Sequence, residues 1–151
     1  MTDGRQLRRL QFEYPVPLHR ALYVSDAVGE AATSLLDLAE ILGASERNNR
    51  RDGLTGVLMR DNGCFLQAIE GRRAEVDQLM DRLRADPRHE NLRLLSDQSA
   101  SARLFPQWPM TLVATTPATV RLLNGNRLNQ LSHDRAERLL AKAVETLKPV
   151  V

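Results

Sequence analysis

The chain has 151 residues, 42% hydrophobic and 26% charged, with a net charge of only +2. That length fits one domain able to bury on the order of 70% of its unfolded surface. A lone cysteine, Cys64, rules out an internal disulfide and a Cys-rich metal site, and no apolar run is long enough to span a bilayer.

Residues 1–18, with Pro15 and Pro17, lack the apolar core of a signal peptide and read as an arm, which makes a reducing cytoplasm the expected location. Arg20 to Ser25 alternate as a short strand, with Leu22 and Val24 on one face and Tyr23 and Ser25 on the other. A helix is expected from Ser34, which forms a capping box with Asp37. Leu35, Leu38, Ala39 and Leu42 are its stripe, and it runs to about Asn48-Asn49, where Gly53 stops any continuation.

Residues 54–70 read as two strands joined by Asn62-Gly63, a dipeptide suited to the positive φ of a two-residue hairpin turn. In the second strand Phe65, Gln67 and Ile69 share one face, and Cys64, Leu66 and Ala68 share the other. Gly71 introduces a second helix with Val76, Leu79, Met80 and Leu83 as its stripe, ended by Asp86-Pro87. Leu92, Leu94 and Leu95 suggest a fourth strand. Residues 105–113 suggest a fifth, with Trp108, Met110 and Leu112 on one face. Pro106 and Pro109 confine it to an edge or make it irregular.

This order predicts an α+β, ferredoxin-like βαββαββ sheet with two helices on one face. The other face carries Leu22, Val24, Leu66 and Ala68 and must also be covered. The candidates are a short helix begun by Pro117, an Asn124-Gly125 break, and a longer helix from about Asp134 striped by Ala136, Leu139, Leu140, Ala143, Val144 and Leu147. The organisation expected is an arm (1–18), a sheet domain (19–114) and a C-terminal helical cap (115–151).

Two polar residues stand out. Tyr23 and Gln67 lie on strands that are neighbours in such a sheet, on the face covered by the first two helices. A phenol and a primary amide hydrogen-bond readily, and a buried amide left unpaired costs roughly 1–3 kcal/mol. Singly, each remaining candidate has an ordinary explanation: Asn48-Asn49 as a helix cap, His89 as a surface histidine, Trp108 as a core filler. The histidines at 19, 89 and 133 have no metal-ligand spacing.

Taken together, the motifs resemble those of the BLUF family, blue-light sensors that use a flavin. The matching pieces are Leu-Tyr-Val-Ser (22–25), Asn-Asn followed by Gly-Leu-Thr-Gly (48–56), and Gly-Cys-Phe-Leu-Gln-Ala-Ile-Glu-Gly (63–71). Asp-Pro-Arg-His (86–89) and Phe-Pro-Gln-Trp-Pro-Met (105–110) complete the set. The resemblance implies a flavin, FAD in the first place with FMN or riboflavin as alternatives, whose ring lies between the two helices. It implies that Tyr23 donates an electron and a proton to excited flavin, and that Gln67 relays the proton and changes orientation or tautomer.

By the same resemblance Asn49 fixes the pyrimidine edge of the ring with Asn48 beside it. Ser25, Arg88 and His89 belong to the flavin surroundings, and Trp108 and Met110 pass the signal outward. Pro109 departs from the family pattern and would stiffen the edge strand.

The expected function is therefore a non-enzymatic photoreceptor acting on a separate, unidentified signalling protein, because the sequence leaves no room for an effector domain. Self-association is implied by resemblance to short members of the family, and neither membrane nor direct nucleic-acid binding is expected. The alternative is a ferredoxin-like RNA- or metabolite-binding module. Aromatic residues are only 4% of the chain, too few for an RNA-stacking face, and no nucleophile–base pair or phosphate loop is present.

Overall fold

Strand β1 (Leu18–Ala27) is an interior strand of a five-stranded sheet and is buried along most of its length. The computed structural model describes residues 17–29, 45–106, 108–145 and 147. β2 (Thr55–Asp61), β3 (Cys64–Gly71), β4 (His89–Ala100) and β5 (Thr111–Val113) complete the sheet in the order β4-β1-β3-β2-β5. β3 is antiparallel to β1 and β2, β4 is antiparallel to β1, and β5 runs parallel to β2. This is the ferredoxin-like α+β arrangement with one added edge strand.

β3 is buried at all eight positions, as a strand apolar on both faces must be. The hairpin before it turns at Asn62 and Gly63, with φ of 48° and 72°, the left-handed geometry that a two-residue turn demands. That turn fixes the β2–β3 register, and with it the face on which every β3 side chain lies.

Residues 45–52 are helical and are labelled α1; the predicted helix start at Ser34 lies outside the described residues. The helix runs past Asn48-Asn49, correcting the expected end. Gly53, with φ of 69°, takes the left-handed position, and the Leu54 N–H reaches back to the Asn49 carbonyl at 2.8 Å. This closing bond places Asn49 in the last turn rather than at the cap.

Helix α2 (Arg73–Arg84) buries Val76, Leu79 and Met80 against Ala21, Tyr23 and Ile69. Gly71 ends β3 rather than opening this helix. On the opposite face, α3 (Pro117–Leu123), a 3-10 turn (Leu128–Gln130) and α4 (His133–Val144) cover Leu22, Val24, Leu66 and Ala68. Thr116 caps α3 in a capping box with Thr119, and Ser132 caps α4. No described helix is long and apolar enough to cross a membrane.

The expected strand at 105–113 shrinks to three residues. Two prolines remove donors from the ladder, and the Leu104 and Phe105 N–H groups bond instead to the Glu70 carboxylate, at 2.8 and 2.7 Å. The face shared by Trp108 and Met110 disappears with it. Trp108 packs against the cluster under the C-terminal helices, whereas Met110 joins Leu58 and Phe65 on the other side. β4, by contrast, is longer than the leucines at 92–95 suggested.

Candidate functional site

Tyr23 and Gln67 are direct partners in the β1–β3 register. The Tyr23 hydroxyl donates to Gln67 Oε1, and Gln67 Nε2 donates to Met110 Sδ at 3.4 Å. Tyr23 is 2% and Gln67 4% exposed. Burial pushes the Tyr23 phenol well above its ordinary pKa, and the Asp86 carboxylate adds to the shift. The phenol is therefore protonated throughout the physiological range. The amide has a firm acceptor bond and a weak donor contact to a thioether, so its NH2 end is the easier one to redirect.

His89 opens β4 and closes one side of the site. Its Nε2 lies 2.5 Å from the Leu83 carbonyl and its Nδ1 2.7 Å from Ser25 Oγ. A carbonyl only accepts, so Nε2 carries the proton and, in the neutral ring, Nδ1 accepts from the Ser25 hydroxyl. The imidazole stands edge-on to Tyr23 and to Phe65, with centroids 6.1 and 6.4 Å away. Ser25 thus acts on the site through His89.

Next to it, Arg88 donates from its backbone N–H and from its guanidinium to Asp86. These bonds hold the Asp86 carboxyl below the usual carboxylate range, against the opposing effect of burial.

These groups surround a recess between Ser45 of α1 and the C-terminal end of α2. Tyr23, Gln67, Asp86, Arg88 and His89 bring polar atoms to it. Leu58, Phe65 and Leu83 supply apolar walls, and Ser45 lies at the α1 side. A mostly apolar concavity with a few convergent polar groups is the usual form of a small-molecule site. Asp86, Phe65, Leu58 and Leu83 were not among the candidates read from the sequence. Asp86 entered there as a helix stop and as part of the 86–89 motif, not as a site residue, though an acid two residues before an arginine is a signal of an ion pair.

Asn49 is fully buried. Its Nδ2 donates to the Pro109 carbonyl at 2.6 Å, while its Oδ1 is buried without a hydrogen-bond partner among the described residues. An orphaned amide oxygen costs on the order of 1–3 kcal/mol and calls for an N–H donor from outside the described residues. A flat heteroaromatic ring carrying its own N–H fits this donor set, as a flavin does. Asn48 is half-buried, and neither it nor Asn49 lines the recess. Among the described residues no group of His, Cys, Asp and Glu is placed to hold a metal ion.

Residues 18–111 match the family described as sensors of blue-light using FAD, abbreviated BLUF. The photoactivated adenylate cyclase subunit beta of Euglena gracilis is 34% identical over 101 residues, 63% of this chain but 12% of that protein. The corresponding subunit of Euglena longa is 32% identical over 93 residues, 62% of the chain and 11% of that protein. The chain thus spans only about a tenth of these curated relatives. The dark-state structure of BlrB, a BLUF protein, is 29% identical, covers 87% of this chain and 97% of its own, and superposes with a TM-score of 0.72. The photo-activated structure of BlsA shares the fold, with a TM-score of 0.78 at 24% identity over 89% of this chain and 99% of its own.

Proposed function

The chain belongs to the BLUF family of blue-light flavin sensors, and from that premise we propose that Tyr23 and Gln67 are its photochemical pair, acting on a flavin held in the recess between α1 and α2. The observation that carries this reading is the Tyr23–Gln67 hydrogen bond lining the recess, and the unpartnered Asn49 oxygen supports it. FAD is the favoured flavin from the family description, with FMN or riboflavin compatible with the same ring contacts.

When bound, the flavin supplies blue-light absorption and an excited state that takes up an electron. Tyr23 is the donor. Its phenol is held protonated by burial, so losing an electron must be accompanied by movement of the hydroxyl proton along its bond to Gln67. Gln67 then rearranges, because among the described residues its NH2 end is held by the Met110 thioether alone. Asn49 holds the ring edge, Arg88 with Asp86 and His89 with Ser25 shape the surroundings, and Asn48 supports Asn49 from the same helix.

One rearranged hydrogen bond is worth about 0.5–1.5 kcal/mol, enough to bias a poised element and too little to remodel a core. Met110 and Trp108 are the output residues, and the C-terminal segment 115–151 is the element they act upon. Residues 19–114 form the flavin-binding domain and 1–18 an arm. The output is a light-dependent contact with a separate cytoplasmic partner or a second copy of the chain, and the chain itself is a sensor rather than an enzyme. The RNA-binding alternative is not favoured, since α3 and α4 pack on the sheet face it would need.

The test is the visible spectrum of the purified protein before and after a blue pulse. A yellow protein with a small, reversible red shift supports the reading; a colourless protein that takes up no added flavin overturns it.

A further inference from the structure

Glu70 stands three residues beyond Gln67 on β3, so its side chain leaves the opposite face of the sheet, toward the C-terminal helices. It is 1% exposed, and none of the candidates read from the sequence included it. Its carboxylate is fully engaged. Arg20 Nε donates to it at 2.9 Å, and the Leu104 and Phe105 backbone N–H groups at 2.8 and 2.7 Å. Arg20 also donates to the Ala102 carbonyl at 2.9 Å and lies 3.9 Å from Glu137 on α4.

Residues 102–105 are thus clamped to a buried ion pair. The far end of the same segment is held on the flavin side, where Asn49 bonds Pro109 and Gln67 bonds Met110. Residues 101–106 and 108–110 thus act as a strap anchored on both faces of the sheet, tied between those anchors by Arg103, which donates to Gly53, Thr55 and Glu70, and by the Trp108 carbonyl, which accepts from the Gly56 N–H. The two anchors differ in strength. Charge-assisted bonds to a buried carboxylate are stiff, while an amide–thioether contact is weak and yields first.

We propose that Glu70, together with Arg20, is the positioning residue that turns a change at Gln67 into a displacement of α4. The proposal rests on the photoreceptor reading above. When Gln67 releases Met110, the strap loses its weakest contact while the Asn49–Pro109 bond and the Glu70 clamp remain. The Glu70 clamp does not yield, so the change passes through Arg20 to Glu137 and α4 instead of being absorbed in the loop. A loop pinned by ordinary exposed bonds would relax locally and leave the helix where it was.

The experiment uses the full chain loaded with FAD, in wild type, Glu70→Gln and Glu137→Gln. Two quantities are read in dark and light: the red shift of the flavin band, and hydrogen exchange of residues 133–144. Wild type is expected to show both responses. Glu70→Gln is expected to keep the red shift and lose the exchange response of α4. Glu137→Gln leaves the buried pair intact, so it is expected to fold normally, keep the shift and show a reduced response.

The proposal is overturned if α4 responds as in wild type in both variants, or if wild-type α4 shows no response while the band shifts. Should Glu70→Gln not fold, Glu137→Gln decides alone, and an unchanged α4 response there sinks the idea. A wild-type protein lacking any red shift would instead defeat the photoreceptor reading itself.

Discussion

The Asn49 carboxamide donates to the Pro109 carbonyl at 2.6 Å, joining the last turn of α1 to the approach of the edge strand through a single side chain. Its oxygen is left buried without a partner among the described residues, and under the proposed photoreceptor function the same amide would hold both a ring edge and the strap. Asn49→Ala removes both. The Pro109 carbonyl loses its donor, at an expected cost of about 1–3 kcal/mol. Flavin content after purification is expected to fall, measured as the ratio of visible to ultraviolet absorbance. Retention of a full complement of flavin would show that the orphaned oxygen does not face the ring.

Tyr23→Phe keeps the aromatic packing against α2 and deletes the hydroxyl. The variant is expected to bind flavin and to show no light-induced red shift. Gln67 Oε1 loses its donor, so urea denaturation should report about 1–3 kcal/mol of lost stability.

The same residue sets an alkaline limit. Its folded-state pKa is raised, so its stabilising contribution is complete below the ordinary phenol pKa of about 10 and is lost as pH rises above it. In that window the unfolded chain releases a proton that the folded chain retains. Wild-type stability is expected to decline by up to about 1.4 kcal/mol per pH unit from this group, and Tyr23→Phe to have a flatter alkaline limb. Denaturation midpoints measured across that range check the sign.

Met110→Leu is close to volume-conserving and is expected to cost less than about 1.5 kcal/mol. It removes the sulfur that Gln67 Nε2 contacts. With its NH2 end released already in the dark, Gln67 is expected to give a smaller light-minus-dark shift or a faster return. A photocycle identical to wild type would place the control of Gln67 elsewhere.

Gly56→Ala tests the fit between β2 and its neighbour. A Cβ at Gly56 would collide with the Ala68 carbonyl oxygen and approach the Met110 methyl to 3.2 Å. Backbone does not yield as a flexible side chain does, so a loss of about 1–3 kcal/mol is expected. A thermal midpoint equal to wild type would contradict it.

Much of this was legible because local rules settled it. Asn62-Gly63 fixed the hairpin, the hairpin fixed the register, and period-two alternation then put Tyr23 and Gln67 on one face. The end of α1 was misplaced because an Asn pair and a following Gly are both helix-stop signals, and only the Leu54-to-Asn49 bond chooses between them. The edge strand was overdrawn for a different reason. Its missing ladder bonds go to Glu70, more than thirty residues earlier, and a capture of that kind has no local signature. Without a strand there, the two-residue spacing of Trp108 and Met110 carries no information about faces, and they part to opposite sides.

The two margins of the sheet end up very unequal. β5 closes its side with three residues preceded by prolines, a poor template for any incoming chain. β4 presents twelve residues, and no other described strand pairs with its outer margin. Glu90, Arg93 and Asp97 are spaced along it as charged gatekeepers of the sort that discourage edge-to-edge aggregation. Neutralising those charges would leave a long open ladder available for recruitment into oligomers by strand addition, independent of illumination.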